Sequence, residues 1–186
     1  MPNVARAPSD GAMDALLVID VQQGMFAFPE YPPHDGEAMV RRIVELIGRA
    51  RAAGAPVLFV QHAGEAGDPL APGQPGFALH PALAPAPGEP VIVKEKCSAF
   101  LDTDLDARLK AAGVDGLVIC GMQTEFCVDT AVRGAVERRY RVRLAADGHS
   151  TFDSPALRAA DIVAHHNQTL GSGFAEVRAA AEIAFQ

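Results

Sequence analysis

The 186-residue sequence has little from which to build disulfides, membrane spans or a basic surface. Its three cysteines, Cys97, Cys120 and Cys127, are too few and of the wrong parity for a disulfide framework. No CxxC pair offers a zinc ribbon or a redox dithiol. Apolar runs such as Ala15–Ile19 and Leu117–Cys120 fall far short of the roughly 20 residues a bilayer requires, so no membrane partner is expected. The opening stretch MPNVARAPSDGAMD contains no apolar core of a secretory leader, which makes a cytoplasmic location the expectation. Sixteen basic against 23 acidic residues, a formal charge of −7, leave no basic surface for nucleic acid. Also missing are a GxSxG elbow, a P-loop, an HExxH pair and a complete GxGxxG, since Gly171-Ser172-Gly173 lacks the third glycine.

What is present is alternation. Short apolar runs, Ala15–Asp20, Pro56–Gln61, Pro90–Lys94, Gly116–Cys120, Arg141–Ala146 and Phe174–Val177, read as strands. Between them lie segments of helical period: Asp35–Gly54, Thr103–Gly113, Thr124–Arg139 and Ser154–Asn167. Asp35 and Thr103 stand where N-caps belong, and Gly54 and Gly113 where helices close. Runs as apolar as ALLVI, VLFV and GLVIC are buried on both faces, which requires helices on both sides of a parallel sheet. The expectation is one three-layer α/β/α, Rossmann-like domain over residues 14–186, with a mainly parallel six-stranded sheet and a flexible arm over 1–13. Residues 62–89 carry six prolines and five glycines and exceed an ordinary connection, so they form either a disordered insertion or a lid.

In open α/β sheets, ligands collect outside the carboxyl ends of the strands. ALLVID ends in Asp20, VIVK ends in Lys94, and GLVIC runs through GMQTEF to Cys127. A carboxylate, an amine and a thiol therefore reach one rim from three strands. Of the cysteines, Cys120 lies inside an apolar strand, where burial makes a thiol inert. Cys97 sits among Lys94, Lys96 and Ser98 in a loop. Cys127 stands in the first turn of a helix, where free N–H groups and the dipole favour a thiolate, with Thr124 as the cap and Glu125 at the positive end. Cys127 is the candidate nucleophile. Asp147-Gly148-His149 reads as a turn rather than a metal site. The adjacent His165 and His166 diverge by about 100° on a helix and do not share one ion simply. Arg138, Arg139, Arg141 and Arg143 read as a helix end and a solvated strand rather than a phosphate site.

Taken in order, LLVIDVQQGMF (Leu16–Phe26), VIVKEKCSAF (Val91–Phe100) and VICGMQTEFCVDTAVRGA (Val118–Ala135) resemble the isochorismatase-like cysteine hydrolases. GHSTFD (Gly148–Asp153) and AHHN (Ala164–Asn167) resemble one subgroup of that family. The resemblance implies a catalytic Asp20–Lys94–Cys127 triad and a cis peptide between Met122 and Gln123. It further implies an oxyanion hole from the backbone N–H groups of Gln123 and Cys127. Implied too are a small-molecule amide or carbamoyl substrate, no cofactor and a homo-oligomer, dimer or tetramer. Nicotinamidases of this family carry an Asp-x-His metal motif after the second strand, where this chain has Gln61-His62-Ala63-Gly64. PGFALHPAL (Pro75–Leu83) instead resembles metal-free members, so no metal is expected. Met25, Phe26 and Phe126 are the candidate substrate pocket. Lys94 is expected to lower the thiol pKa and Asp20 to take its proton. The alternatives are a vinyl ether hydrolase using Asp20 without a covalent step, a redox sensor pairing Cys127 with Cys97, and a silent binding protein.

Overall fold

The computed structural model describes residues 13–186, so all of the expected arm but Met13 lies outside the described residues. Six strands form one sheet: β1 (Asp14–Ile19), β2 (Val57–His62), β3 (Val91–Lys94), β4 (Gly116–Met122), β5 (Arg141–Ser150) and β6 (Glu176–Arg178). Their order is β3-β2-β1-β4-β5-β6, and every pairing is parallel. Four α-helices cover it: α1 (Gly36–Ala52), α2 (Leu105–Ala111), α3 (Asp129–Glu137) and α4 (Ala159–Gly171). This is the three-layer α/β/α arrangement that the apolar alternation implies.

Strand periodicity decides the layers. Leu16, Val18, Val57, Phe59, Val118 and Cys120 face one side, where Met39, Val40, Ile43, Leu46 and Ile47 of α1 pack on them. Leu17, Ile19, Leu58, Val60, Ile92, Leu117 and Ile119 face the other, against Leu105 and Leu109 of α2, Ala131, Val132 and Ala135 of α3, and Leu170 of α4. Each fully buried Leu, Ile or Val contributes about 1.5–3 kcal/mol, so both layers are held by their apolar faces. The chain leaves β1 toward β2 on one side and reaches β4 on the other. The β1/β4 boundary is therefore the switch point at which the carboxyl ends open a crevice.

Several boundaries differ from the sequence reading, each for a local reason. β5 continues past Ala146 because a register shift between Ile119 and Gly121 lets His149 and Ser150 pair with Gly121 and Met122. The last helix begins at Ala159 rather than near Ser154. The Ser154 hydroxyl accepts from Ala156 N and Leu157 N in a turn of its own, and Asp153 Oδ1 takes Ala159 N at 2.8 Å. Thr124–Arg139 is not one α-helix: a π-turn over Thr124–Val128 precedes α3, and Arg139 has φ 70. Asp35 occupies the N-cap position with φ 49 but makes no side-chain cap bond. The long connection after β2 is neither disordered nor loose. Its Leu70, Ala71 and Leu83 are buried, and it bonds the segment after β1 through Gln23 N to Ala78 O and His80 N to Val21 O, both 2.8 Å.

Candidate active site

Asp20 directly follows β1 in the left-handed region, φ 49, a conformation aspartate tolerates better than most residues. The turn it makes ends the ladder and leaves the carboxylate at the crevice. Lys94 is the last residue of β3, and Cys127 sits in the π-turn that opens α3. The sheet brings these three together. Lys94 Nζ lies 2.7 Å from Asp20 Oδ2 and 3.3 Å from Cys127 Sγ, with the Asp20 and Lys94 side chains almost fully buried.

Burial sets the electrostatics. It pushes the Asp20 carboxyl above the usual carboxylate range, with Lys94 pulling the other way. Burial alone would lower Lys94, but the charges of Asp20 and Cys127 outweigh it and hold the ammonium up. The Cys127 thiol is pushed up to about 12 by burial and then by the Asp20 charge, against the opposing pull of Lys94. Burial and the Asp20 charge thus work against the expected thiolate, and Lys94 works for it. Cys120 is fully buried, its thiol driven still higher by burial, and Cys97 is exposed.

The approach to Cys127 depends on Gly121. Its φ is +122, and a Cβ there would meet Ile19 O at 2.0 Å and Ile19 N at 2.7 Å, so only glycine allows β4 to pass β1 so closely. The next peptide bond, Met122–Gln123, is cis. Gln123 O then accepts from Phe126 N at 3.2 Å and Val128 N at 3.1 Å, closing the turn that carries Cys127. Thr124 does not cap this turn. Its hydroxyl bonds His149 Nδ1 at 2.8 Å, while His149 Nε2 meets Asn167 Oδ1 at 3.0 Å. Asn167 Nδ2 donates to Ala146 O at 2.9 Å, which fixes the amide so that His149 Nε2 is the donor and Nδ1 the acceptor. Burial lowers this imidazole to about 4, so it is a neutral strut between β5, α4 and the turn. Glu125 faces β5, where it accepts from Thr151 Oγ1 at 2.9 Å.

Two further residues went unread in the sequence. Gln22 is fully buried: its Nε2 donates to His62 O at 3.0 Å and Phe77 O at 2.8 Å, and its Oε1 accepts from His62 N at 2.9 Å. His62 ends β2 beside Lys94, and its Nδ1 is buried with no hydrogen-bond partner. Gln22 lies within LLVIDVQQGMF and His62 within the segment that departs from the metal motif, and neither position alone signals these bonds. The three pocket candidates separate. Met25 Sδ is 4.0 Å from Gln123 Nε2, whereas Phe26 lines a different cavity of about 410 Å³ with Phe28, Pro33 and Arg41. Phe126 is 51% exposed. Of the arginine cluster, Arg141 and Arg143 pair with the buried Asp14, and Arg138 lies over the Phe100 ring. Among the described residues no group of three His, Cys, Asp or Glu side chains is arranged to hold a metal ion, and no helix is long and apolar enough to cross a membrane.

The isochorismatase domain matches residues 14–181. The chain belongs to the isochorismatase-like hydrolase family. A streptothricin hydrolase from Streptomyces noursei is 42% identical to this family member over 153 residues, covering 81% of this chain and 60% of that protein. A second from the same organism is covered over 52% of its length, so the chain spans little more than half of these relatives. A ureidoacrylate amidohydrolase from Methylobacterium radiotolerans is 32% identical, covering 81% of this chain and 72% of its own. Among solved structures, a cysteine hydrolase from Pseudomonas syringae superposes with a TM-score of 0.87 at 29% identity, covering 98% of this chain and 96% of that one.

Proposed function

We propose that this chain is a cysteine hydrolase that cleaves a C–N bond, amide or carbamoyl, of a small molecule through a thioester on Cys127. The observation that carries the reading is Lys94, buried and within reach of both Asp20 and Cys127. The names of the relatives, streptothricin hydrolase and ureidoacrylate amidohydrolase, support a small C–N substrate.

Burial raises the proton affinity of the Asp20 carboxylate, as a general base requires, and that of the Cys127 thiol with it. Asp20 takes the Cys127 proton as Sγ forms a bond to the carbonyl carbon. Lys94 stays charged and balances the negative charge wherever it resides. The backbone N–H groups of Gln123 and Cys127 receive the oxyanion; losing one such donor typically costs about 10²–10³ in rate. Asp20 returns the proton to the nitrogen as the C–N bond breaks, takes one from water as oxygen attacks the thioester, and passes it to Sγ as the C–S bond breaks. Met25, Phe26 and Phe126 are retained as pocket residues, with Met25 best placed. The hydrolase unit is taken as residues 14–186, acting without a cofactor or metal, as a homo-oligomer. Three free cysteines suit a reducing cytoplasm.

The test is an amide and carbamoyl library screened on wild type and Cys127→Ser, with mass spectrometry of the Cys127 peptide. An acyl adduct on wild type, and a loss of about 10³-fold or more in the variant, is the expected result. Full activity in Cys127→Ala with no adduct points instead to Asp20 acting alone, as in vinyl ether hydrolysis. A Cys97–Cys127 bridge after peroxide without turnover points to a redox sensor.

A further inference from the structure

We infer that His62 contacts the substrate, its Nδ1 accepting the N–H of the scissile amide. The site then takes primary and secondary amides or carbamoyl amines and discriminates against N,N-disubstituted ones. This rests on the amide-hydrolysis reading and adds a determinant of substrate class to it.

The placement follows from register. His62 and Lys94 are Cα partners on adjacent parallel strands, and partners in a sheet project to the same face. That face is marked two residues earlier by Val60 and Ile92, which belong to the core layer against which α3 and Cys127 pack. His62 thus stands beside Lys94 on the Cys127 side of the sheet. Its backbone is held on both sides by Gln22, which takes His62 N and donates to His62 O. Asp20, Lys94 and Asp68 all lie close enough to act on the ring electrostatically. A residue whose backbone is held this firmly, with a buried ring nitrogen left unpaired, calls for a partner that arrives with the ligand.

The hydrogen-bond inventory says which partner. An amide presents a carbonyl acceptor and, unless fully substituted, an N–H donor. The groups proposed to receive the carbonyl are N–H donors, and Lys94 is a donor as well. The other unpaired buried acceptors near the turn are the Asp20 oxygens, which handle the moving proton, and Glu125 Oε2, whose carboxylate is tied by its other oxygen to Thr151 beyond β5. His62 Nδ1 is the unpaired buried ring nitrogen beside Lys94, and in the Nε2–H tautomer it is an acceptor. Burial and the Lys94 charge lower the imidazole pKa, against Asp20 and Asp68, so the ring is neutral and one nitrogen is free to accept.

The test uses two thiol reagents, 2-iodoacetamide and 2-iodo-N,N-dimethylacetamide, on the purified full chain. Second-order rates of Cys127 modification are read by peptide mass spectrometry and divided by the rates with glutathione. The exposed Cys97 in the same digest reports reagent size alone. Wild type is expected to favour the primary amide by about tenfold at Cys127 and not at Cys97. His62→Phe and His62→Leu, each checked by thermal melting, should bring the preference to within about twofold. His62→Asn should keep it, because the asparagine amide oxygen can take the place of Nδ1. An equal preference in wild type and the apolar variants, or none in wild type, overturns the inference while leaving the thiol reading intact. Failure of both reagents to modify Cys127 removes the thiol reading, and this inference with it.

Discussion

Lys94 Nζ lies 2.7 Å from Asp20 Oδ2, although the two residues stand 74 positions apart and on strands separated by β2. The separation is bridged because Asp20 turns out of β1 at φ 49 while the lysine reaches across the end of β2. Both side chains are out of water, so neither charge has a substitute partner. A buried pair of this kind is weak evidence for stability, since desolvating two ions can cost as much as their attraction returns. It is strong evidence that the two belong together. Removing one leaves the other charged and unpaired.

Lys94→Met tests that dependence. With no ammonium beside it, the Asp20 carboxylate is expected to cost the fold about 3–5 kcal/mol at pH 8. The loss should be smaller at pH 5, where the burial-raised carboxyl can take a proton instead. Asp20→Asn with Lys94→Met should cost less than the sum of the single changes. Urea denaturation at the two pH values measures all three. Additive losses independent of pH would show that the pair is not coupled. In the same protein, the pH profile of Cys127 alkylation should move upward, because Lys94 is the group that pulls the thiol pKa down.

Gly121→Ala should be among the most damaging small substitutions in the chain. Its φ of +122 is outside the range L-residues adopt readily, and the added methyl would lie 2.0 Å from Ile19 O in a neighbouring strand. A cost of about 4 kcal/mol or more is expected, with insoluble or unfolded protein as the practical outcome. Gly54→Ala is the control. That glycine also has positive φ, +71, but a Cβ there meets nothing within 4 Å, so about 1 kcal/mol is expected. Equal effects in thermal melts would mean that contact with β1 is not what fixes Gly121.

The legible parts of this protein were those written in local pattern. ALLVI, VLFV and GLVIC declare strands buried on both faces, and the α1 stripe declares its own packing. Asp20, Lys94 and Cys127 stood out because polar groups directly follow apolar runs, and the sheet does bring them together. What was not legible depends on partners far along the chain. Asp147-Gly148-His149 looks like a turn, yet β5 runs through it because a bulge opposite Ile119 and Gly121 resets the register. Thr124 looks like a cap, yet it serves His149, held in turn by Asn167. A helix start promised a thiolate at Cys127, but burial and the Asp20 charge push the thiol the other way, against Lys94.

Gln22→Leu isolates the clamp beneath the loop after β2. The amide makes three hydrogen bonds, two to His62 and one to Phe77, and leucine fills similar volume with none. The His62 N–H and C=O would lose their Gln22 partners, at about 1–3 kcal/mol each, while Phe77 O would keep only Gln61 Nε2. Hydrogen exchange should rise in peptides covering residues 63–83 before it rises in β1 or β4. Unchanged protection there would place the anchor of the loop elsewhere, for instance in Gln61 Nε2, which also donates to Phe77 O.

His149 gives a pH signature with a definite sign. Folded, its imidazole is lowered from 6.5 to about 4 by burial, whereas the unfolded chain titrates near the ordinary value. Its contribution to stability is therefore complete above pH 6.5 and is lost as pH falls toward about 4, because only the unfolded state takes up the proton. Across that window the loss is about 3 kcal/mol. His149→Gln keeps a donor and an acceptor between Thr124 and Asn167 but does not titrate. It is expected to be less stable than wild type at pH 7.5, where an ideal bond pair is replaced by a looser one, and to lose less stability on acidification. The difference between the two urea-derived curves should bend between pH 6.5 and 4, since the other histidines are common to both proteins. Parallel curves would mean that His149 is solvated in the folded state. The strut between β5, α4 and the Cys127 turn would then have to be sought in another residue.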